Sequence, residues 1–429
     1  MSVRKRTWKT SKGEAKEAWV VNYCDKAKGG SRVQRTFHLK KEAEAFIVDM
    51  KGEVRDGIHI ARSKSVTVAQ AGKEWIRTAE AKNLERATVA EYQGLLDRHI
   101  APFIGTAKLS DLSVPVVRAF EDQLREADRS PAMVKRVRNA LSMLLSDAQE
   151  RGLVARNVAR GLKSIRQRGG EDQHERRHKG KLKVGADIPE IADVHAMIPH
   201  LKDRWRPLML TAMFCGLRSS ELRGLRWQDV DFAENKIHVR QRADRYHKIG
   251  PTKSESGERS IPMLPMVANA LREWKLACPR RDTGRRDEQG NPVTELHYVF
   301  PNRKGNVESH PNIVTRGLWP VQIAACVTAP VLDDDGNPKL DKRDKPMVRA
   351  KYTGMHALRH FFASWCINPI KKGGRQLPAK VVQEWLGHSS ITMTLDVYGH
   401  LFERDDDEAR KELAEAERAF MEKAVRQTT

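Results

Sequence analysis

Apolar positions change their period several times along the chain, and the changes mark out its segments. In residues 66–165 they recur at helical spacing. One stripe runs Val89, Tyr92, Leu95, Leu96, His99, Ile100, and another runs Val134, Val137, Leu141, Leu144, Leu145, Ala148. Residues three and four apart share a helix face, so each stripe predicts a helix with one buried side. Pro102, Gly105, Pro115 and Pro131 punctuate this all-helical block. Before it, residues 1–60 show short strand-like runs at Trp19–Tyr23 and Arg32–Leu39, joined by the turn Lys28-Gly29-Gly30-Ser31. A helical pattern follows from Lys40 to about Val54 and stops at Gly57.

Residues 166–186 are rich in glycine and charge and almost devoid of apolar side chains, which predicts a linker. From Asp187 the apolar density rises into the longest domain, 187–404. It reads as mixed but mostly helical, with a strand pair near 236–262. Asp287–Pro292 and Asp333–Pro338 carry strong turn signals and read as surface hairpin insertions. Residues 405–429 read as a charged helical tail with Leu413, Ala416, Phe420 and Ala424 along one side. The predicted fold class is therefore mainly α with small β elements. A sheet-plus-helix module comes first, then a helical domain, then a mixed domain.

Charge changes the picture. The 429 residues hold 78 Lys+Arg against 56 Asp+Glu, a formal net charge of +22. A chain this basic points to a polyanionic partner, and double-stranded DNA leads. A membrane surface is the weaker reading, because no amphipathic helix has an all-basic polar face and no apolar stretch spans a bilayer. The N-terminus lacks the apolar core of a secretory signal, and the five cysteines are scattered without a CxxC pair. Both imply a reducing compartment, the cytoplasm, with neither a disulfide framework nor a thiolate zinc site. His174-Glu175-Arg176-Arg177-His178 matches the zinc-protease HExxH. It sits among glycines and charges without a buried helix face, so it reads as chance and no metal is expected. Arg32, Arg35 and Lys9 on the first sheet fit either a DNA groove or a solvated hairpin. Lys135, Arg136, Arg138 and Arg151 read as the polar face of the helical block, leaning towards phosphate contact.

Four segments of the last domain carry chemistry. They are CGLRSSELRGLRWQDVD with Arg218 and Glu221, TKSESGERSIPM with Lys253, HALRHFFAS with His356 and Arg359, and WLGHSSITMTLDVYGH with His388 and Tyr398. In this order and spacing they resemble the tyrosine recombinase (phage integrase) family, over roughly Cys215 to His400. Each motif alone is weak, and the ordered set is highly specific. The helical block resembles that family's core-binding domain and the first module its arm-binding sheet domain, on looser grounds. Two positions depart from the pattern. Ala357 stands where the family often has Asp, and Phe361 where Thr is common; neither carries a reacting group.

The chemistry of the residues agrees with the resemblance. Phosphodiester transfer places charge on two non-bridging oxygens, and Arg218 and Arg359 each offer a planar fork of donors to them. A phenol with a pKa of about 10 is mostly protonated at neutral pH, so Tyr398 as nucleophile needs a base or a strong positive field. His356 is the leading candidate for that base. The resemblance implies Lys253 as the acid protonating the departing deoxyribose oxygen, with Lys248 nearby as a competitor. His388 would then bond the phosphate, and Glu221 would orient Arg218. It also implies a homotetramer in the synaptic complex, the tail packed on a neighbouring subunit, and an accessory DNA-bending or excision factor. No carboxylate cluster suits a two-metal nuclease and no GxxxxGK[ST] loop suits ATP, so no cofactor is expected. The rival readings are a type IB topoisomerase and a catalytically silent DNA-binding regulator.

Overall fold

In the computed structural model, residues 2–9, 15–25, 31–44, 46–47, 65–162, 182–333, 336–402 and 417 are described. The chain divides into two compact units, Met1–Arg168 and Gly169–Thr429. The HExxH segment and, apart from Glu417, the tail lie outside the described residues, as does most of the linker.

The first unit opens with an antiparallel sheet, β1 (Ser2–Lys9), β2 (Ala15–Asp25) and β3 (Ser31–Phe37), in the order β1-β2-β3. β2 and β3 coincide with the two strand-like runs. β1 was not foreseen: among the described side chains of SVRKRTWK only Val3 packs on the small core around Val21 and Ala43, so its alternation is hidden under basic residues. Helical residues 40–44 and 46–47 follow. The Arg35 guanidinium lies 5.5 Å and 4.8 Å from the ring centroids of Phe37 and Phe46, a cation–π cover on that core. Arg32 is on β3, with its side chain outside the described set.

The helical block begins with α1 (Val68–Ala81), whose start is fixed by a capping box between Thr67 and Gln70. α2 (Arg86–Leu95) runs through a π-helical turn at Leu96–Ile100 into α3 (Ala101–Ile104). Pro102 therefore does not end the helix. Proline supplies no N–H, and the wider π turn just before it rearranges the ladder at that point. α4 (Val114–Glu126) and α5 (Pro131–Glu150) complete the block. The predicted stripe of α5, from Val134 to Ala148, is its buried face.

Arg138 corrects the reading of the opposite face. It is only 8% exposed, and its guanidinium reaches the buried Glu121 at 3.2 Å. Position 138 is four after Val134 and three before Leu141, so it shares the buried face, and the ion pair makes its burial tolerable. Lys135 and Arg136 are exposed as expected, and Arg136 is paired with Glu91 at 2.5 Å.

The second unit is built on one large core. Its elements are α6 (Ile191–Met197), α7 (Trp205–Cys215), α8 (Ser219–Gly224), α9 (Pro265–Ala277), α10 (His310–Asn312), α11 (Trp319–Ala324), α12 (His356–Ile367), α13 (Ala379–Leu386) and α14 (Ile391–Tyr398), with shorter helical turns between them. The strand pair expected near 236–262 is richer than a pair. β4 (Val230–Asp231), β5 (Lys236–Val239) and β8 (Arg259–Pro262) form a three-stranded sheet, while β6 (Gln241–Ala243) and β7 (Ile249–Pro251) form a hairpin. The 287–292 turn closes a hairpin of β9 (Arg281–Arg286) and β10 (Pro292–Glu295). The second turn segment lies between β11 (Thr328–Pro330) and β12 (Val348–Ala350), which pair antiparallel. Phe361 is buried edge-on to Phe214, so the aromatic ring at that departure from the family pattern fills core space.

Candidate active site

α7 ends at Gly216, whose φ of +61° is left-handed. A Cβ there would meet the Phe362 ring at 2.2 Å, so only glycine fits the turn that delivers Arg218 to the start of α8. Glu221, one turn on, accepts from the backbone N–H of Arg218 at 2.8 Å and from its Nη1 at 2.7 Å. Glu221 is 2% exposed and also pairs with Arg259 of β8, at 2.8 and 3.2 Å. Arg259 was not singled out from the sequence; its only signal was an arginine beside the Lys253 loop.

Three arginines converge on the C-terminus of α13. Arg259 Nε donates to the carbonyl of Trp385 at 2.6 Å, Arg359 Nη2 to Leu386 at 2.5 Å, and Arg218 Nη2 to Gly387 at 3.1 Å. These are consecutive carbonyls, the unpaired acceptors at the negative end of a helix dipole. Arg359 also donates to the Gly216 carbonyl at 2.7 Å. One backbone turn thus spaces three guanidiniums whose positive charge exceeds that of the single carboxylate among them, which favours an anion.

Tyr398, the last residue of α14, faces this cluster and is 2% exposed. His388 stacks nearly parallel to its ring, at 6.4 Å between centroids and 4° between planes. His388 is itself buried, with Nδ1 2.9 Å from Thr394 Oγ1 and its carbonyl bonded by Gln383. The imidazole that meets the phenol is His360, with Nδ1 2.7 Å from Tyr398 Oη. His356, the expected base, stands edge-on to His360 at 4.4 Å between centroids and keeps an exposed surface. His360 is another residue missed from the sequence, although its position four after His356 put both on one helix face.

Burial and charge together set the protonation states. Burial raises the Glu221 carboxyl, but Arg259, Arg218 and Arg359 outweigh it and hold it down at about 2. Burial pushes the Tyr398 phenol up to about 12, against the pull of Arg359 and Arg218. Burial and the neighbouring His356 and Arg359 lower His360 to about 4, with Asp187 opposing. Burial and the arginines also lower His388 to about 4 and depress His356. Neutral histidines and a protonated phenol therefore coexist beside charged arginines at pH 7.

Lys253 lies exposed in the loop between β7 and β8, and Lys248 lies exposed at the tip of the β6–β7 hairpin. Among the described residues, no three His, Cys, Asp or Glu side chains group to hold a metal ion. Among the same residues, no helix is long and apolar enough to cross a membrane.

Residues 190–404, half of the chain, match the model of the phage integrase family. The chain belongs to that family, the tyrosine recombinases, an enzyme class acting on DNA strands. It is similar to a tyrosine recombinase XerC-like protein of Caldanaerobacter subterraneus subsp. tengcongensis, 23% identical over 404 residues, covering 89% of this chain and 91% of that protein. It is 23% identical over 278 residues to prophage integrase IntR of Escherichia coli K12, covering 62% of this chain and 57% of that one. A segment of the Tn1549 transposon integrase (its residues 82–397), solved in complex with a circular intermediate DNA, matches with a TM-score of 0.57 at 18% identity, over 82% of this chain and all of that segment. A lambda integrase dimer bound to a core site matches with a TM-score of 0.52 at 14% identity, over 92% and 94%. At these identities the structural likeness is one of fold.

Proposed function

We propose that this protein is a site-specific DNA recombinase that integrates or excises a mobile element. It cuts and rejoins strands through a covalent 3′-phosphotyrosine at Tyr398. The observation that carries the reading is the buried Tyr398 phenol set against Arg218, Arg359, His388 and the His356–His360 pair, in a centre with more guanidiniums than carboxylates. Arg218 and Arg359 would exchange backbone carbonyls for the non-bridging oxygens of the scissile phosphate, stabilising the charge that grows there. Glu221, itself paired with Arg259, holds Arg218 in place. His388 bonds the phosphate, and Lys253, on its exposed loop, swings in to protonate the departing 5′ oxygen. The ester keeps the energy of the phosphodiester, so rejoining requires no ATP.

The domains divide the labour. Residues 66–165 and 187–404 grip the core site, joined by the 166–186 linker, and 1–60 reads distal arm sites. The lambda integrase structures, a dimer on a core site and a tetramer on a Holliday junction, support a homotetramer as the working assembly. The substrate places the protein in the bacterial cytoplasm on the nucleoid, with an accessory bending or excision factor as a further partner.

A nicked duplex tests this. The short 5′-hydroxyl fragment diffuses away after cleavage and the intermediate accumulates. The expected product is an SDS-resistant, protease-sensitive adduct that forms in excess EDTA, with the nucleotide remnant mapped to Tyr398. Tyr398→Phe keeps the ring but removes the nucleophilic oxygen, so it should bind DNA and give no adduct. A remnant on another residue, or a strict requirement for Mg²⁺, overturns the assignment.

A further inference from the structure

The segment between α11 and α12 carries an eight-residue repeat, VLDDDGNP (331–338) and then KLDKRDKP (339–346), followed by the opening MV of a third copy. The fold reproduces the repeat. The Val331 N–H donates to the Met347 carbonyl at 2.8 Å, Lys339 to Val331 at 2.7 Å and Met347 to Lys339 at 2.7 Å, a closed triangle joining the first position of each copy. Asp333 and Asp341 tie equivalent turns: their Oδ1 atoms accept from the backbone N–H of Asn337 at 2.8 Å and of Lys345 at 3.0 Å. The base is fixed to the domain. Ala350 is buried, and beside it Lys351 and Tyr352 donate to the Asp193 carboxylate at 2.9 and 2.5 Å. Every described residue from Leu332 to Arg349 is nevertheless exposed, so the segment is a braced projection without a core of its own.

Leu332, Leu340 and Val348 each follow a corner of the triangle by one residue, and they are 54%, 51% and 52% exposed. Aliphatic side chains grouped in this way on a surface mark a contact. Charge indicates with what. Residues 331–349 hold five Asp against five Lys+Arg, so the whole surplus of +22 lies elsewhere and the projection exerts no net pull on DNA. The charges are also sorted. Asp333, Asp334 and Asp335 fill the first turn, whereas Lys342, Arg343 and Lys345 outnumber the acids of the second. A patch with one acidic and one basic end complements a second copy of itself turned by half a revolution. We propose that this projection is a self-docking surface, through which two copies of the chain pair about a two-fold axis. The first turn of each copy meets the second turn of the other, with the aliphatic positions between them. The pairing does not depend on the chemistry at Tyr398.

The test is sedimentation velocity of the full chain without DNA, over a concentration series at low ionic strength. The wild-type protein should pass from monomer to dimer. Asp334→Lys with Asp335→Lys makes both turns basic, and Lys342→Glu with Arg343→Glu makes both acidic; Asp333 and Asp341, which tie the turns, stay in place. Each pair alone should weaken dimerisation by about tenfold or more, because like charges then face each other at both ends. Mixing the two variants should give a heterodimer, and all four changes in one chain should restore self-association. A wild-type protein that stays monomeric throughout, a dimer indifferent to either pair, or a four-fold variant that stays monomeric overturns the proposal. Loss of gel-shift affinity in the Lys342→Glu, Arg343→Glu variant with an unchanged dimer would also overturn it and make the projection a DNA contact.

Discussion

Two buried glutamates, one in each unit, look alike at first sight. Glu121 on α4 is 1% exposed and meets Arg118 at 2.7 Å, Arg138 at 3.2 Å and Arg125 at 3.7 Å. Glu221 on α8 is 2% exposed and meets Arg218 at 2.7 Å and Arg259 at 2.8 Å. Each carboxylate holds guanidiniums that would otherwise be costly to bury. The difference lies in what surrounds them. Among the Glu121 arginines, Arg118 and Arg125 lie on α4 itself and Arg138 ties α5 to it, within the helical block. The Glu221 arginines share a helix end with Arg359 and look onto Tyr398 and three histidines. A buried ion-pair cluster alone therefore says nothing about function. A surplus of positive charge beside a phenol does.

If that contrast holds, both glutamates should matter alike for stability and differently for chemistry. Glu121→Gln and Glu221→Gln each strand one buried guanidinium, Arg138 and Arg259 respectively, and each should cost about 3–5 kcal/mol in urea unfolding. Only Glu221→Gln should also cut the rate of adduct formation in protein that remains folded. The acid limb sharpens the point. The Glu221 carboxyl is depressed to about 2, so its contribution is present above the ordinary Glu value of about 4.3 and is lost as pH falls between the two. Glu221→Gln should lack that acid-sensitive step, and an unchanged acid profile would break the comparison.

The arginines give the next largest effect. Arg218→Ala and Arg359→Ala should each lower adduct formation by about 100- to 1,000-fold while duplex affinity barely moves, because many other basic residues share the binding. Arg138→Ala should destabilise the helical block yet leave the cleavage rate of folded protein near wild type. Equal kinetic losses at Arg138 and Arg359 would erase the distinction. The smallest effect belongs to Lys135, exposed on α5. Lys135→Ala should weaken DNA binding uniformly across sequences and reduce the salt-dependence slope by about one, read from affinities over a salt series.

Much of the second unit was legible because its motifs combine a backbone demand with a reacting group. Gly216 is forced by its left-handed turn, and Arg218 and Glu221 follow at one helical turn; His356 and Arg359 share a face by spacing. The misses have physical causes. Arg138 was read by its charge when its spacing from Val134 and Leu141 already placed it on the buried face. Arg259 and His360 owe their importance to contacts across the fold, with Glu221 and Tyr398, which linear spacing does not encode. β1 was hidden because, among its described side chains, a single partly buried one, Val3, packs on the core, which leaves almost no alternation. Pro102 looked like a stop because the π turn that accommodates it has no sequence signature.

The three consecutive carbonyls at Trp385, Leu386 and Gly387 carry a consequence for how such a centre tolerates change. What the arginines grip there is main chain, so the side chains at 385 and 386 are free to drift as long as they pack on the core. The length of the turn has no such latitude. Removing one residue between 385 and 387 would slip every carbonyl by one place and hand each guanidinium the wrong partner. The segment therefore behaves as a ruler whose markings are spaced by the backbone: indifferent to spelling, intolerant of a shift in frame.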